Sequence, residues 1–407
     1  MTMSSFDRMW ESLRLVGRDP ATRGYRRFAW TGEDHTLREW FAGECEARGL
    51  DVVVDRAGNQ WGWWGNPDET PGVVIGSHLD SVADGGAFDG PLGVVSAFAA
   101  LDALQHNGFR PQLPIGVANF ADEEGARFGI ACAGSRLLTG ALDPRRAAAL
   151  RDADRTSMAD AWRAAGLEPT TMGADPEALR RVTAYVELHV EQGLALALDP
   201  DGEPDLVDPA RAVAIGTEIW PHGRWEIDLF GEANHAGTTR LDDRLDAMLQ
   251  FAAVVASARM HAREAGCLAT IGKVLARPNA VNAIADHVTC WLDARGADGD
   301  AVRGLVDAIR AEVDEDEGTV NELSWTPATP FDGALRDRIA TVLPDAPLLA
   351  TGAGHDAGIL ANAGVPTAML FVRNPTGVSH SPAEWAEPQD CDRGVAALAD
   401  VVRELAG

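Results

Sequence analysis

The chain has 407 residues, 46% of them hydrophobic and 24% charged, an ordinary globular composition that is long enough for two cores. Its 62 acids against 35 bases leave a net charge of −27, a surface that repels phosphate backbones and anionic lipid and so argues against nucleic acid and membrane as partners. Lys273 is the only lysine, so any Schiff-base or phosphate-gripping lysine would have to be that residue; the five cysteines at 45, 132, 267, 290 and 391 contain no CxxC pair, which argues against a cysteine zinc knuckle or disulfide framework and fits a reducing cytoplasm.

The opening "MTMSSFDRMWESLRL" has no basic segment followed by an apolar core, so a secretory leader is not expected, and no apolar run is long enough to span a bilayer. "EDHTLREWFAGECEARG" has helical spacing, and "LDVVVD" and "NQWGWWG" read as short strands. "PGVVIGSHLD" is a continuous apolar strand, the pattern of burial on both faces. "PLGVVSAFAALDALQHNG" reads as a helix ended by Gly108; "PIGVANFADEEG", "AYVELHVEQG" and, near the C-terminus, "VPTAMLFV" read as further buried strands. Strands alternating with helices predict an α/β domain whose central sheet is mostly parallel. Between them, "RAVAIGTEIW", "GRWEIDLFGEA", "CLATIGKVLA", "DHVTCWLDAR" and "VNELSWTP" read as strands, with helices over "RLDAMLQFAAVVASARMHAREAG" and "DAVRGLVDAIRAEVDEDEG". This predicts an α+β unit with a small antiparallel sheet over 211–328, inserted into a larger domain formed by 1–210 and 329–407.

Metal-type residues fall at the expected strand ends, where sites in parallel sheets collect. His78 ends "VVIGSH" and Asp80 follows it; Asp89 precedes a helix; Glu123 and Glu124 end the next strand in "ADEEG"; His189 lies in "VELHVEQG" and His380 in "GVSHSP". Taken singly, a histidine here can be structural and an acid beside glycine can cap a turn. As a set, histidines and carboxylates at one sheet edge make an N/O ligand set suited to Zn²⁺ or Mn²⁺, and a bridging carboxylate allows two ions about 3.5–4 Å apart. Asp80 fits an orienting role, accepting the other ring N–H of His78. "GAGHDAG" (352–358) imitates a dinucleotide loop, but its spacing is one residue too long and His355-Asp356 would put an acid where pyrophosphate should lie. Neither a phosphate-binding G-x-x-x-x-G-K-[ST] loop nor a G-x-S-x-G elbow occurs.

The stretches "GSHLDSVADGGAFDGPLGV", "FADEEGARFG", "VELHVEQG", "GEANHAGTT", "PNAVNAI", "LDAR", "GAGHDA" and "GVSHSPAEW", running from about 76 to 385, resemble the dinuclear-metal amidohydrolases that include aminoacylases and carboxypeptidases, and within them the carbamoylase branch. The resemblance implies that His78 and His189 hold one divalent ion (Mn²⁺ or Zn²⁺), Glu124 and His380 a second, and Asp89 bridges them. It implies Glu123 as general base and then general acid, with Asp80 orienting His78. It further implies that the inserted domain is a dimerisation (lid) domain carrying specificity. His235 of "NHAG" would then reach the neighbouring subunit's site of a homodimer, although a turn histidine held by its glycine neighbour is the plainer reading. Arg295 would grip the substrate carboxylate as a bidentate fork, and Gln192 and Asn282 would make polar substrate contacts.

The implied reaction is hydrolysis of a ureido C–N bond in a small carboxylate. Allantoate is the first expectation, on "PHGRW" and "HAGTTRL", and an N-carbamoyl-L-amino acid or β-ureidopropionate the second. A non-enzymatic nucleotide-binding protein on the same α/β sheet is the rival from another class. Two departures stand out: Arg240 replaces the family's usual Pro after "HAGTT", and Thr351 stands where Ser is usual. His222 of "WPHGRW" and Asp122 are left without a role.

Overall fold

The apolar runs become strands because their residues can be buried on both faces of a sheet, and every residue of Gly72–His78 and of Ile115–Phe120 is buried. The computed structural model describes residues 3–199, 201–313 and 316–407. In chain order the strands are β1 (Asp51–Val54), β2 (Gln60–Trp64), β3 (Gly72–His78), β4 (Ile115–Phe120), β5 (Val182–Val190), β6 (Val213–Ile219) and β7 (His222–Phe230). They continue as β8 (Leu268–Arg277), β9 (His287–Arg295), β10 (Gly318–Thr326), β11 (Thr329–Pro330), β12 (Leu348–Thr351) and β13 (Thr367–Val372). Among the described residues, no helix is long and apolar enough to cross a membrane.

The chain divides into two compact units. The larger comprises the described residues up to Thr217 with Pro330–Leu349 and Gly354–Gly407; the smaller comprises Glu218–Thr329 and Ala350–Ala353. The larger sheet has nine strands in the order β1-β2-β4-β3-β5-β13-β6-β11, with β12 also on β6. β4, β3, β5 and β13 are neighbours and mutually parallel, so their C-terminal ends share one edge. β1, β2 and β6 run antiparallel to their partners on either flank. The helix Pro91–His106, apolar almost all round, packs on β3 and on the C-terminal helix Pro388–Ala406.

The smaller unit is a four-stranded antiparallel sheet, β10-β7-β9-β8. β7 and β9 alternate between buried and partly exposed residues, the signature of a sheet covered on one face. Trp225, Ile227, Cys290 and Leu292 on that face pack with Val254, Val306 and Ile309 of the helices Ala247–Ala265 and Gly299–Glu312.

The stretch 211–217 departs from the sequence expectation, which put it in the inserted unit. Val213–Ile215 pair antiparallel with Leu370–Val372, so β6 extends the larger sheet. A short apolar strand does not declare which sheet it joins; the partner strand lies more than 150 residues away.

Immediately after β13, Arg373 is buried against Asp390 in a bidentate pair at 2.8 and 3.0 Å, each side chain 2% exposed. Its Nη1 also donates to the carbonyls of Asp205 and Asp208. Asn374 then organises the next turn, accepting from the amides of Thr376 and Gly377 and donating to the Val378 carbonyl. This anchor fixes where the loop to His380 begins. Replacing Arg373 with Met leaves Asp390 buried beside only Arg393, and is expected to lower unfolding stability by about 3–5 kcal/mol in denaturant titration. A loss below about 1 kcal/mol would contradict the anchoring role.

Candidate metal centre

Four parallel strands deliver the expected residues to one edge of the larger unit. His78 is the last residue of β3, His189 lies one residue from the end of β5, Glu123 and Glu124 follow β4, and His380 follows β13. Asp89 sits in the connection between β3 and the helix Pro91–His106, just before Gly90, whose positive φ of 83° and missing Cβ let the chain pass against the His78 ring.

Asp89 lies between two ligand groups. Its Oδ1 is 3.5 Å from His78 Nε2 and 3.2 Å from His189 Nε2, and its Oδ2 is 3.4 Å from His380 Nε2. Glu124 Oε2 is 3.4 Å from the same His380 nitrogen. In each of the sets His78/Asp89/His189 and Asp89/Glu124/His380, one donor atom per residue lies within 4.8 Å of the others. Among the described residues, the Nε2 atoms of His78 and His189 are buried without a hydrogen-bond partner, although both face carboxylates. Such orphaned nitrogens fit coordination to a cation, and the donor set suits Zn²⁺ or Mn²⁺. His189 Nδ1 faces the Val190 carbonyl at 2.9 Å, which leaves Nε2 available to a cation.

Glu123 belongs to neither set. It is buried, its Oε1 accepts from the Cys132 thiol at 3.4 Å, and its Oε2 is 3.7 Å from His78 Nε2. Asp80 does two things. Its Oδ1 is 3.4 Å from His78 Nδ1, and its two oxygens accept the backbone amides of Glu123 and Glu124, both at 3.1 Å. It therefore fixes the "ADEEG" turn as well as the His78 ring. Asp122 takes a left-handed conformation (φ 54°) and its carbonyl accepts from Ala133, which turns the chain so that the next two residues, Glu123 and Glu124, face the centre. Gln192, expected on substrate, donates through Nε2 to Asp89 Oδ2 at 2.8 Å and to Ser379 Oγ at 3.2 Å.

The structure adds residues that carried no assigned role in the sequence. Glu187, two residues before His189 on the same face of β5, forms a third buried set with His189 and His355. Its oxygens accept from Ser77 Oγ and the Ala357 amide. The His355 ring lies 4.5 Å from that of His189, and Asp356 accepts from Ser135, so His355 of "GAGHDAG" packs against the centre. The period of two along β5 was the available signal for Glu187.

The electrostatics follow from crowding acids out of water. Burial pushes Glu123 well above the usual carboxylate range and Glu124 up to about 7, with neighbouring acids adding to both. Burial, then Glu187, raises Asp356 to about 8. Burial opposes the charged form of Asp89 too, but His189, His380 and His78 outweigh it and bring that carboxyl well below its usual range. Contact with Asp89 raises His380 to about 9. A site whose acids resist ionising while its histidines are drawn toward carboxylates is one that cations relieve.

In the smaller unit, His235, Asn282 and Arg295 form two clusters. His235 bridges to Ala283, and the Asn282 carbonyl accepts from Ala236, so these two residues sit together. The Gly237 amide donates to His235 Nδ1 at 3.0 Å; the proton is then on Nε2, a donor on an exposed ring. Arg240 is exposed, and the turn is held instead by Arg244, whose guanidinium donates to the carbonyls of Ala236 and Thr239. Arg295, paired in register with His222, already holds Asp293 side-on through Nε and Nη2 and the Gly352 carbonyl through Nη1. This leaves the edge between Nη1 and Nη2 for another acceptor. His222 Nδ1 faces the Trp220 carbonyl, and burial, countered by that contact, keeps its ring basicity below the usual value.

Residues 74–404 match the profile of Peptidase family M20/M25/M40. An N-carbamoyl-L-amino acid amidohydrolase of Geobacillus stearothermophilus is 36% identical over 98% of both chains. The allantoate amidohydrolase of Escherichia coli is 31% identical over 97% of this chain and 96% of its own. The crystal structure of a hydantoinase/carbamoylase family amidase from Burkholderia ambifaria superposes with a TM-score of 0.79 at 32% identity, covering 99% of this chain and 98% of that one. With the ligand geometry above, these similarities place the chain in Peptidase family M20/M25/M40, in its hydantoinase/carbamoylase branch, as an amidohydrolase acting on C–N bonds.

Proposed function

We propose that the protein hydrolyses the ureido C–N bond of a small carboxylate with two divalent ions, Mn²⁺ or Zn²⁺, and that allantoate is its substrate. The observation that carries the two-ion reading is Asp89, whose two oxygens face different ligand groups. When bound, the ions polarise the ureido carbonyl and make an adjacent water acidic enough to ionise near neutral pH. Glu123, outside both ligand sets, takes the proton of that water and returns it to the departing nitrogen. The outer edge of Arg295 anchors the substrate carboxylate, with Asp293 holding the guanidinium plane. Asn282 and Gln192 contact polar substrate atoms. The carbamate released breaks down to ammonia and CO₂.

The second reading, an N-carbamoyl-L-amino acid, is favoured by the 36% identity to an amidohydrolase of that name. Both candidates offer one carboxylate and a hydrolysable ureido group, of which allantoate carries two and an N-carbamoyl amino acid one, so the metal centre serves either.

We also infer a homodimer in which His235 offers its Nε2–H to the oxyanion in the partner's site. Support comes from exposed apolar side chains on the helix Ala247–Ala265, among them Leu249 (69% exposed) and Met260 (48%), and on the edge strand β8, with Leu275 (60%).

Ammonia release from allantoate and from a panel of N-carbamoyl-L-amino acids, measured side by side after Mn²⁺ loading, tests the substrate. Allantoate should give the highest kcat/KM, chelator should abolish turnover, and Arg295→Ala should raise KM by about 10–100-fold. A flat KM would remove Arg295 from substrate binding, and faster turnover of an N-carbamoyl amino acid would establish the second reading. Glu123→Gln should retain both ions and lose at least about 100-fold in kcat; loss of metal would mean that the roles of Glu123 and Glu124 are reversed. Mixing Glu123→Gln with His235→Ala protein should restore activity, because a hybrid dimer has one site with both groups intact. No recovery after verified subunit exchange would rule out donation across the interface.

A further inference from the structure

Asp89 serves both ligand groups, yet it sits on a connection without regular structure, so something must hold its carboxylate in place. That support comes from the "GVSHSPAEW" stretch, nearly 300 residues away. Glu384 is buried, and its Oε2 accepts the backbone amides of Phe88 at 2.8 Å and Asp89 at 3.0 Å. Its Oε1 lies 2.9 Å from Ser379 Oγ, and the same hydroxyl lies 3.1 Å from Asp89 Oδ2. Gln192 Nε2 completes the ring, reaching Asp89 Oδ2 and Ser379 Oγ together. Gly86 leaves room for this, since a Cβ there would collide with the Glu384 carboxyl. Ser379 is also the residue before His380. One side chain therefore ties the peptide that carries Asp89 to the peptide that carries the exposed histidine opposite it.

Resting on the two-ion reading above, we propose that Glu384 is a positioning residue that sets the spacing of Asp89 and His380, and so selectively governs the ion held by Asp89, Glu124 and His380. The other ion is less dependent on it. His78 and His189 are both strand residues, buried, and oriented by Asp80 and the Val190 carbonyl. His380 lies on a loop with half of its side chain exposed (51%) and needs the brace. Removing an outer hydrogen-bond partner of a metal ligand costs about 10–100-fold in affinity.

The test is metal binding rather than turnover. Metal-free wild type, Glu384→Ala, Glu384→Gln and Ser379→Ala are dialysed against graded Mn²⁺, and bound ions per chain are counted by elemental analysis. The wild type should take up two ions. Glu384→Ala should bind one of them about 10–100-fold more weakly and leave the other within a few-fold. Glu384→Gln should recover most of the loss: its carbonyl still accepts both amides and its NH₂ still meets Ser379. Ser379→Ala removes only the bridging hydroxyl and should shift the same ion to a smaller extent, which keeps the test available if Glu384→Ala fails to fold. Equal weakening of both ions, or an unchanged second ion, overturns the role of Glu384 while the two-ion reading stands. A wild type that binds fewer than two ions overturns that reading and this inference with it.

Discussion

The mutual repulsion of carboxylates buried at one sheet edge is the constraint on which the rest of the structure depends. Asp80, Asp89, Glu123, Glu187 and Asp356 are all withdrawn from water in the larger unit, with Glu124 nearly so. A single unpaired buried charge already costs several kcal/mol, so such a group persists only if protons, hydrogen-bond donors or cations answer it. The histidines answer part of it, and backbone amides answer more: Asp80 takes two, and Glu384 takes two. What remains is concentrated around Asp89 and Glu124, where the ligand sets lie.

Precision at such a centre comes from what surrounds the ligands. Strands deliver His78 and His189, and strand geometry fixes them to within the tolerance of the sheet. Asp89, Glu124 and His380 come from connections, and each is held by a separate device: the Glu384–Ser379–Gln192 ring, the amide contact to Asp80, and the Arg373 and Asn374 anchors after β13. Loops carry function because they vary, but a metal site tolerates little variation, so these loops are tied down by buried polar groups.

Much of this was legible in the sequence. The continuous apolar runs gave β3, β4, β5 and β13, because burial on both faces leaves no other composition open to a strand. Their polar C-terminal residues pointed to the candidate ligands, because parallel strands present those ends together. Glu187 was missed because an acid inside an apolar strand reads as an interruption until its partners, Ser77 and the Ala357 amide, are seen. Gln192 was expected on substrate, and its bond to Asp89 depends on a neighbour 103 residues away. β6 was expected in the inserted unit because an apolar strand carries no mark of its partner.

The sequence by itself determined the α/β class, the inserted small sheet and the residue types that meet at the sheet edge, since these follow from local periodicity and from where polarity returns at strand ends. Only the tertiary structure decided which oxygen of Asp89 faces which histidine, that Asp80 holds both glutamates by their amides, that His235 carries its proton on Nε2, and that Arg295 comes already paired with Asp293. Those are facts of distance and direction between residues far apart in the chain, and no local pattern encodes them. The three acids of "ADEEG" show the division: their adjacency is written in the sequence, but their separate environments arise from a left-handed turn at Asp122 and from Asp80, 43 residues upstream of Glu123.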